Sequence, residues 1–149
     1  MQDRIEKSIE LKAPVARVWR ALTDHEEFGQ WFRAKLDGPF KVGEISRGRI
    51  TYPGYEHFKW EAIVQAMEFE RLFSFTWCPY SDDPQADYTT QPHTLVEFTL
   101  KPIPQGTLLH IAESGFSALP DDARRIEAFR MNTKGWDEQA SNIAAHVES

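Results

Sequence analysis

The chain has 149 residues, 41% of them hydrophobic, with one cysteine and a formal charge of −6. That length predicts one domain spanning 1–149, large enough to bury roughly 68–70% of its unfolded surface without disulfides or a structural metal. Cys78 has no second cysteine to bridge, so a disulfide scaffold is excluded. The N-terminus alternates charged and apolar residues, unlike a secretion signal, so a reducing cytoplasm is the expected location. No run of about 18 apolar residues occurs, so no membrane-spanning helix is expected. The acidic balance and scattered cations argue against nucleic-acid binding. Ten Phe, five Trp and four Tyr are a heavy aromatic load, which calls for a large core or an apolar pocket.

Taken in chain order, residues 3–11 read as a strand with Ile5, Lys7, Ile9 and Leu11 on one face. Ala13-Pro14 opens a helix whose apolar stripe is Val15, Val18, Trp19 and Leu22. Thr23-Asp24 caps a second short helix ending near Phe28, Trp31 and Phe32. Turn signals at residues 37–39 and at Gly43 follow, and the chain is expected to resume extended from Gly48 to Tyr52. Residues 57–67 form a candidate strand with Phe58, Trp60, Ala62 and Val64 on one side. Phe73, Phe75 and Trp77 alternate with polar residues, as do Val96, Phe98 and Leu100. In residues 107–114, Leu109, Ile111 and Glu113 share a face opposite Leu108, His110 and Ala112. Residues 79–93, with three prolines, are irregular and read as a binding loop or gate carrying Tyr80 and Tyr88.

The last third changes period. Ile126, Phe129, Thr133, Trp136, Ala140, Ile143 and Val147 recur at spacings of three and four, an amphipathic helix of about 20 residues. Gly135 inside it predicts a kink or a close packing contact. One strand, two short helices, about six strands and a long helix make an α+β fold, a curved antiparallel sheet around the last helix.

Several segments then resemble a known family. Ala13-Pro14-Val15-Ala16-Arg17-Val18-Trp19, Trp31-Phe32 and Arg71-Leu72-Phe73-Ser74-Phe75-Thr76-Trp77 are similar to the START-like (SRPBCC) superfamily. Thr94-Leu95-Val96-Glu97-Phe98, Glu113-Ser114-Gly115-Phe116, Arg130, Asn132, Gly135-Trp136, Gln139 and Asn142-Ile143 resemble bacterial homologues of the activator of the ninety-kilodalton heat-shock protein's ATPase. The resemblance implies a helix-grip fold of six or seven strands clasping the C-terminal helix, with a hydrophobic tunnel between them. It also implies a planar aromatic or lipid-like ligand, and as alternatives a cyclase- or hydrolase-type enzyme or a co-chaperone-like module; no cofactor is expected. The partners it admits are the hydrophobic small molecule and a chaperone; a second copy of the chain is a further candidate partner.

Candidate site residues follow from the faces. Trp60, Phe75, Trp77, Phe98, Phe129 and Trp136 are expected to line the tunnel, or to be plain core. Glu113, a carboxylate on an apolar face, and Arg130 are the expected polar groups that orient the ligand, Glu113 also as acid/base; the alternative is a structural role, Glu113 pairing with Arg130 or with backbone amides. The five histidines lack metal-ligand spacing, so no metal is expected, and Cys78 reads as a buried, inert thiol.

Overall fold

A computed structural model describes residues 3–79, 92–119 and 123–148, with the side chains of 123 and 124 left aside. The elements are β1 (Arg4–Leu11), α1 (Val15–Thr23), α2 (His25–Phe32), β2 (Ala34–Leu36), β3 (Ile45–Ile50), β4 (Lys59–Glu68), β5 (Leu72–Trp77), β6 (Thr94–Ile103), β7 (Gly106–Ser114) and α3 (Ala123–Glu148). The seven strands form one antiparallel sheet in the order β1-β7-β6-β5-β4-β3-β2. The inner face of this curved sheet holds α3, with α1 and α2 closing the side, a helix-grip arrangement.

Alternation determines which face is buried. Val96, Phe98 and Leu100 on β6, and Leu109, Ile111 and Glu113 on β7, are at most 5% exposed. Their neighbours Thr99, Lys101 and His110 face outward, where His110 Nδ1 lies 2.9 Å from Ser8 Oγ. Lys7 shares the inner face of β1, as expected, and reaches across to Asp137 of α3 at 2.9 Å. Between Val64 and Ala66 a bulge shifts the β4–β5 register, the local kink expected where a sheet bends strongly.

Asp24 ends α1 and caps α2, its carboxylate accepting from the amides of Glu26 and Glu27 at 2.9 and 3.3 Å. The Trp31 indole donates to Ala21 O at 2.8 Å, locking α2 onto α1. Arg33 leaves α2 in the left-handed conformation, φ 69°, and the chain turns directly into β2. This tight exit requires Gly29, because a Cβ there would stand 2.3 Å from Ala34 O.

Four expectations need correction. The extended segment after Gly43 is Ile45–Ile50, not residues 48–52, because Pro53-Gly54 starts a turn that ends the pairing early. Phe58 sits in that turn and precedes β4, so it is not a strand residue. Ile126 is 63% exposed, about 100° around α3 from the buried line of Ala128, Trp136, Ile143 and Val147. Gly135 marks neither a kink nor a close contact, since α3 runs through it and a Cβ there would meet nothing within 4 Å. Gly135→Ala is therefore expected to stabilise the protein by about 0.5–1 kcal/mol, read as a higher urea midpoint with unchanged slope. The proposed gate with Tyr80 and Tyr88 falls at residues 80–91, outside the described residues.

Three helices meet at Glu27. Its carboxylate takes Arg17 at 2.6 Å and Arg20 at 2.8 Å from α1, and His146 Nε2 at 2.9 Å from the end of α3. Burial alone would raise its pKa, but the His146 hydrogen bond and then Arg17 and Arg20 outweigh burial and hold it below its ordinary 4.5. A lowered carboxylate pKa contributes stability that is complete above pH 4.5 and is lost as pH falls through the folded value. Glu27→Gln should therefore cost about 1 kcal/mol at neutral pH. Urea unfolding between pH 6 and pH 3 should show that difference shrinking below pH 4.5. A pH-independent gap would mean that shape, not charge, holds the three helices.

Candidate functional site

Glu113 is wholly buried, and the described residues give it five hydrogen bonds from four neutral side chains. Strand register sets part of this cage. Trp77, at the end of β5, stands opposite Thr94 at the start of β6, and Glu113 on β7 is opposite Val96. The Trp77 indole N–H and the Thr94 hydroxyl reach Oε2 at 2.8 and 2.6 Å. The remainder comes from α3, where Asn132 and Trp136 lie one turn apart on the inner face. Trp136 Nε1 donates to Oε1 at 2.8 Å, and Asn132 Nδ2 spans both oxygens at 2.9 and 3.1 Å.

The chemistry of the donors constrains the carboxyl. Indole N–H groups only donate, so both oxygens must accept. A carboxylate offers about four lone-pair sites, and five contacts saturate it. Such hydrogen bonds to a charged group contribute about 1.5–3 kcal/mol each, which offsets the loss of hydration. Glu113 therefore fixes the two indoles and the amide in place. An acid/base role would require one of these bonds to open.

Around the cage the rings touch one another. Trp77 and Trp136 are 5.9 Å apart with planes at 32°, and Phe32 of α2 lies 6.0 Å from Trp77 and 6.4 Å from Trp136. Trp60, Phe75 and Phe98 are at most 1% exposed and form the floor. Trp60 is held by its own donor bond, Nε1 to Ser46 Oγ at 2.9 Å. Phe129 packs edge-on against Phe116 at 5.1 Å, one turn before Asn132. Trp77, Phe129, Asn132 and Thr133 are half-buried, so the cage lies near the surface at this end of the sheet.

The structure thus brings Trp77, Glu113 and Trp136 into direct contact, with Trp60, Phe75 and Phe98 beneath them. It does not bring Arg130 to Glu113. Arg130 extends from the opposite side of α3, 76% exposed and paired with Glu127. Its angular position explains this, because Arg130 lies about 160° around the helix from Asn132. Sequence reasoning missed Asn132 and Thr94 as cage members. The available signal was the four-residue spacing of Asn132 and Trp136, which puts an amide inside an apolar stripe. Phe28 and Phe32 were read as a helix end, yet they stack at 5.0 Å inside the ring cluster.

A surface hollow of about 520 Å³ lies between residues 12–15 and 102–106. It adjoins the start of β7, whereas Glu113 sits near the end of that strand, roughly 20 Å away. Its walls are mostly proline and aliphatic residues, with Lys12 and Gln105 the polar side chains among them. Cys78 is buried at 4% exposure. Among the described residues, no helix is long and apolar enough to cross a membrane.

A curved antiparallel sheet gripping a long C-terminal helix is the START-like fold of the SRPBCC type. More narrowly, the chain belongs to the family of activator of Hsp90 ATPase homolog 1-like proteins, which matches residues 12–148. Among solved structures it is similar to MLL2253 of Mesorhizobium loti, with 27% identity, 97% of this chain and 96% of that one covered, and a TM-score of 0.74. BH1534 of Bacillus halodurans shares 24% identity over 99% of this chain and 100% of its own, with a TM-score of 0.69. DynU16, a protein of the dynemicin biosynthetic locus, shares 21% identity and a TM-score of 0.76, covering this chain fully but 48% of its own. No protein of curated function matches the chain.

Proposed function

We propose that the chain acts as one helix-grip domain that binds a flat, apolar small molecule between the sheet and the first half of α3. Trp77 carries this reading. Its ring is pinned through its N–H to Glu113, yet it stays half-buried beside Trp136, as a stacking surface would. In this reading Trp77, Phe129 and Trp136 contact the ligand, Trp60, Phe75 and Phe98 form the floor, and Glu113 holds the indoles rigid. Arg130 has no part in it. The family is one in which a ligand-binding fold is expected. Catalysis by Glu113 is disfavoured because its lone pairs are already occupied.

Tryptophan fluorescence against planar aromatics, polyketide-like compounds and fatty acids tests this. Saturable quenching by one class is expected, with calorimetry showing at least tenfold weaker binding of that class to Trp77→Phe. No saturable response from any class, or undiminished binding to Trp77→Phe, would overturn the site.

A further inference from the structure

The outer face of the sheet carries a charge pattern that the helix grip does not require. Lys35 on β2 is directly opposite Arg49 on β3, and Arg49 is directly opposite Lys59 on β4. Their neighbours Ala34, Leu36, Ser46 and Trp60 are buried, so all three cations point outward from the same face. Side chains so placed are about 5 Å apart at their Cβ atoms, and like charges in that position destabilise a sheet. Among the described residues neither Lys35 nor Arg49 has an ion-pair partner.

The surrounding charges do not balance this row. Arg47 pairs with Glu61 at 2.5 Å, and Lys59 lies 3.9 Å from the same carboxylate. Asp37, exposed two residues beyond Lys35 and with its amide bonded to Arg47 O, together with Glu61 sets two carboxylates beside the four cations Lys35, Arg47, Arg49 and Lys59. Glu56 accepts from its own loop at Gly54 N. Arg33 continues the basic surface, lying 5.3 Å over the ring of Tyr52. Next to it are exposed rings: Tyr52 and Tyr55, 43% and 45% exposed, contact each other at 5.6 Å, and Phe58 follows at 5.6 Å. This concentration of cations occurs in a chain whose overall charge is −6.

We propose that this outer face of β2, β3 and β4, with the aromatic turn at 51–58, docks an acidic segment of a partner protein. The face is exposed and not concave, so a small anion would stay in water and gain little. The row spans only about 10 Å across three strands, and the rest of the molecule repels a long polyanion, which disfavours nucleic acid. Arginine beside tyrosine is the composition of protein–protein contact surfaces. Carboxylates from an extended segment would fall between the cations, and its apolar side chains would cover Tyr52 and Tyr55. The cost in sheet stability is then offset only in the complex.

The test uses fluorescence anisotropy of a labelled peptide of alternating Glu and Val, with the Lys-for-Glu peptide as control and a single-stranded oligonucleotide as competitor. The Glu peptide is expected to bind and to weaken with added salt. Arg49→Glu should weaken it about tenfold or more, whereas Lys101→Glu, near the opposite end of the same sheet, should leave it unchanged. Because Arg49→Glu relieves the like-charge row, its Tm should rise by about 1–3 °C, which separates lost docking from lost folding. Equal binding to Arg49→Glu, equal binding of the Lys peptide, or displacement by the oligonucleotide at lower concentration would each overturn the proposal.

Discussion

Glu113→Gln is expected to destabilise the protein by about 2–4 kcal/mol, lowering Tm by roughly 6–10 °C. An amide retains the shape of the carboxylate but replaces one acceptor with a donor. If its oxygen faces Trp136, its NH2 group meets the Trp77 N–H and the Thr94 hydroxyl. If it flips, it meets Trp136 and Asn132 instead. Thr94 can rotate its proton away and accept, but an indole cannot. At least one buried N–H therefore faces another donor. Thermal unfolding followed by tryptophan fluorescence measures the effect directly, since two of the cage members are the reporters. A variant that melts within about a degree of the parent would show that the cage is not structural, and would return Glu113 to the list of ligand or catalytic groups.

Phe28→Ala should cost more, about 3–5 kcal/mol. Phe28 is fully buried and central to the ring cluster, 4.7 Å from Trp31, 5.0 Å from Phe32, 5.3 Å from Trp60 and 5.4 Å from Phe40. Truncation removes the burial of one aromatic ring and leaves a hole walled by rigid rings that cannot collapse into it. The expected fall in Tm is roughly 8–15 °C. Such a hole stays dry and should accept benzene or indole, so saturating benzene should recover part of the loss. A loss below about 2 kcal/mol without benzene rescue would show that α2 shifts inward and fills the space.

These effects rest on residues whose burial was only partly legible beforehand. The period of two on β6 and β7 correctly placed Phe98, Ile111 and Glu113 inside, because one face of that sheet is packed. The period also placed Trp136, Ile143 and Val147 inward on α3. It failed at Ile126, where an apolar residue extends the pattern in sequence but rotates away from the sheet in space. It failed at Asn132 for the converse reason: a polar residue breaks the apolar pattern but belongs on the inner face, because the sheet offers it a buried carboxylate. The proposed pairing of Glu113 with Arg130 matched charges without knowing the helix rotation. In the structure Arg130 finds Glu127, one turn away, in water.

The order of residues was enough for the alternation of faces, the cap at Asp24, the order of elements and, through segment resemblances, the family. All of these depend on local spacing and residue chemistry. Tertiary structure alone decided which donors reach Glu113, that its lone pairs are filled, and that Lys35, Arg49 and Lys59 stand side by side. Those facts depend on strand register and on the rotation of α3 against the sheet. Both are set by packing between residues more than 100 positions apart, as with Phe32 and Trp136, and leave no periodic trace in the chain.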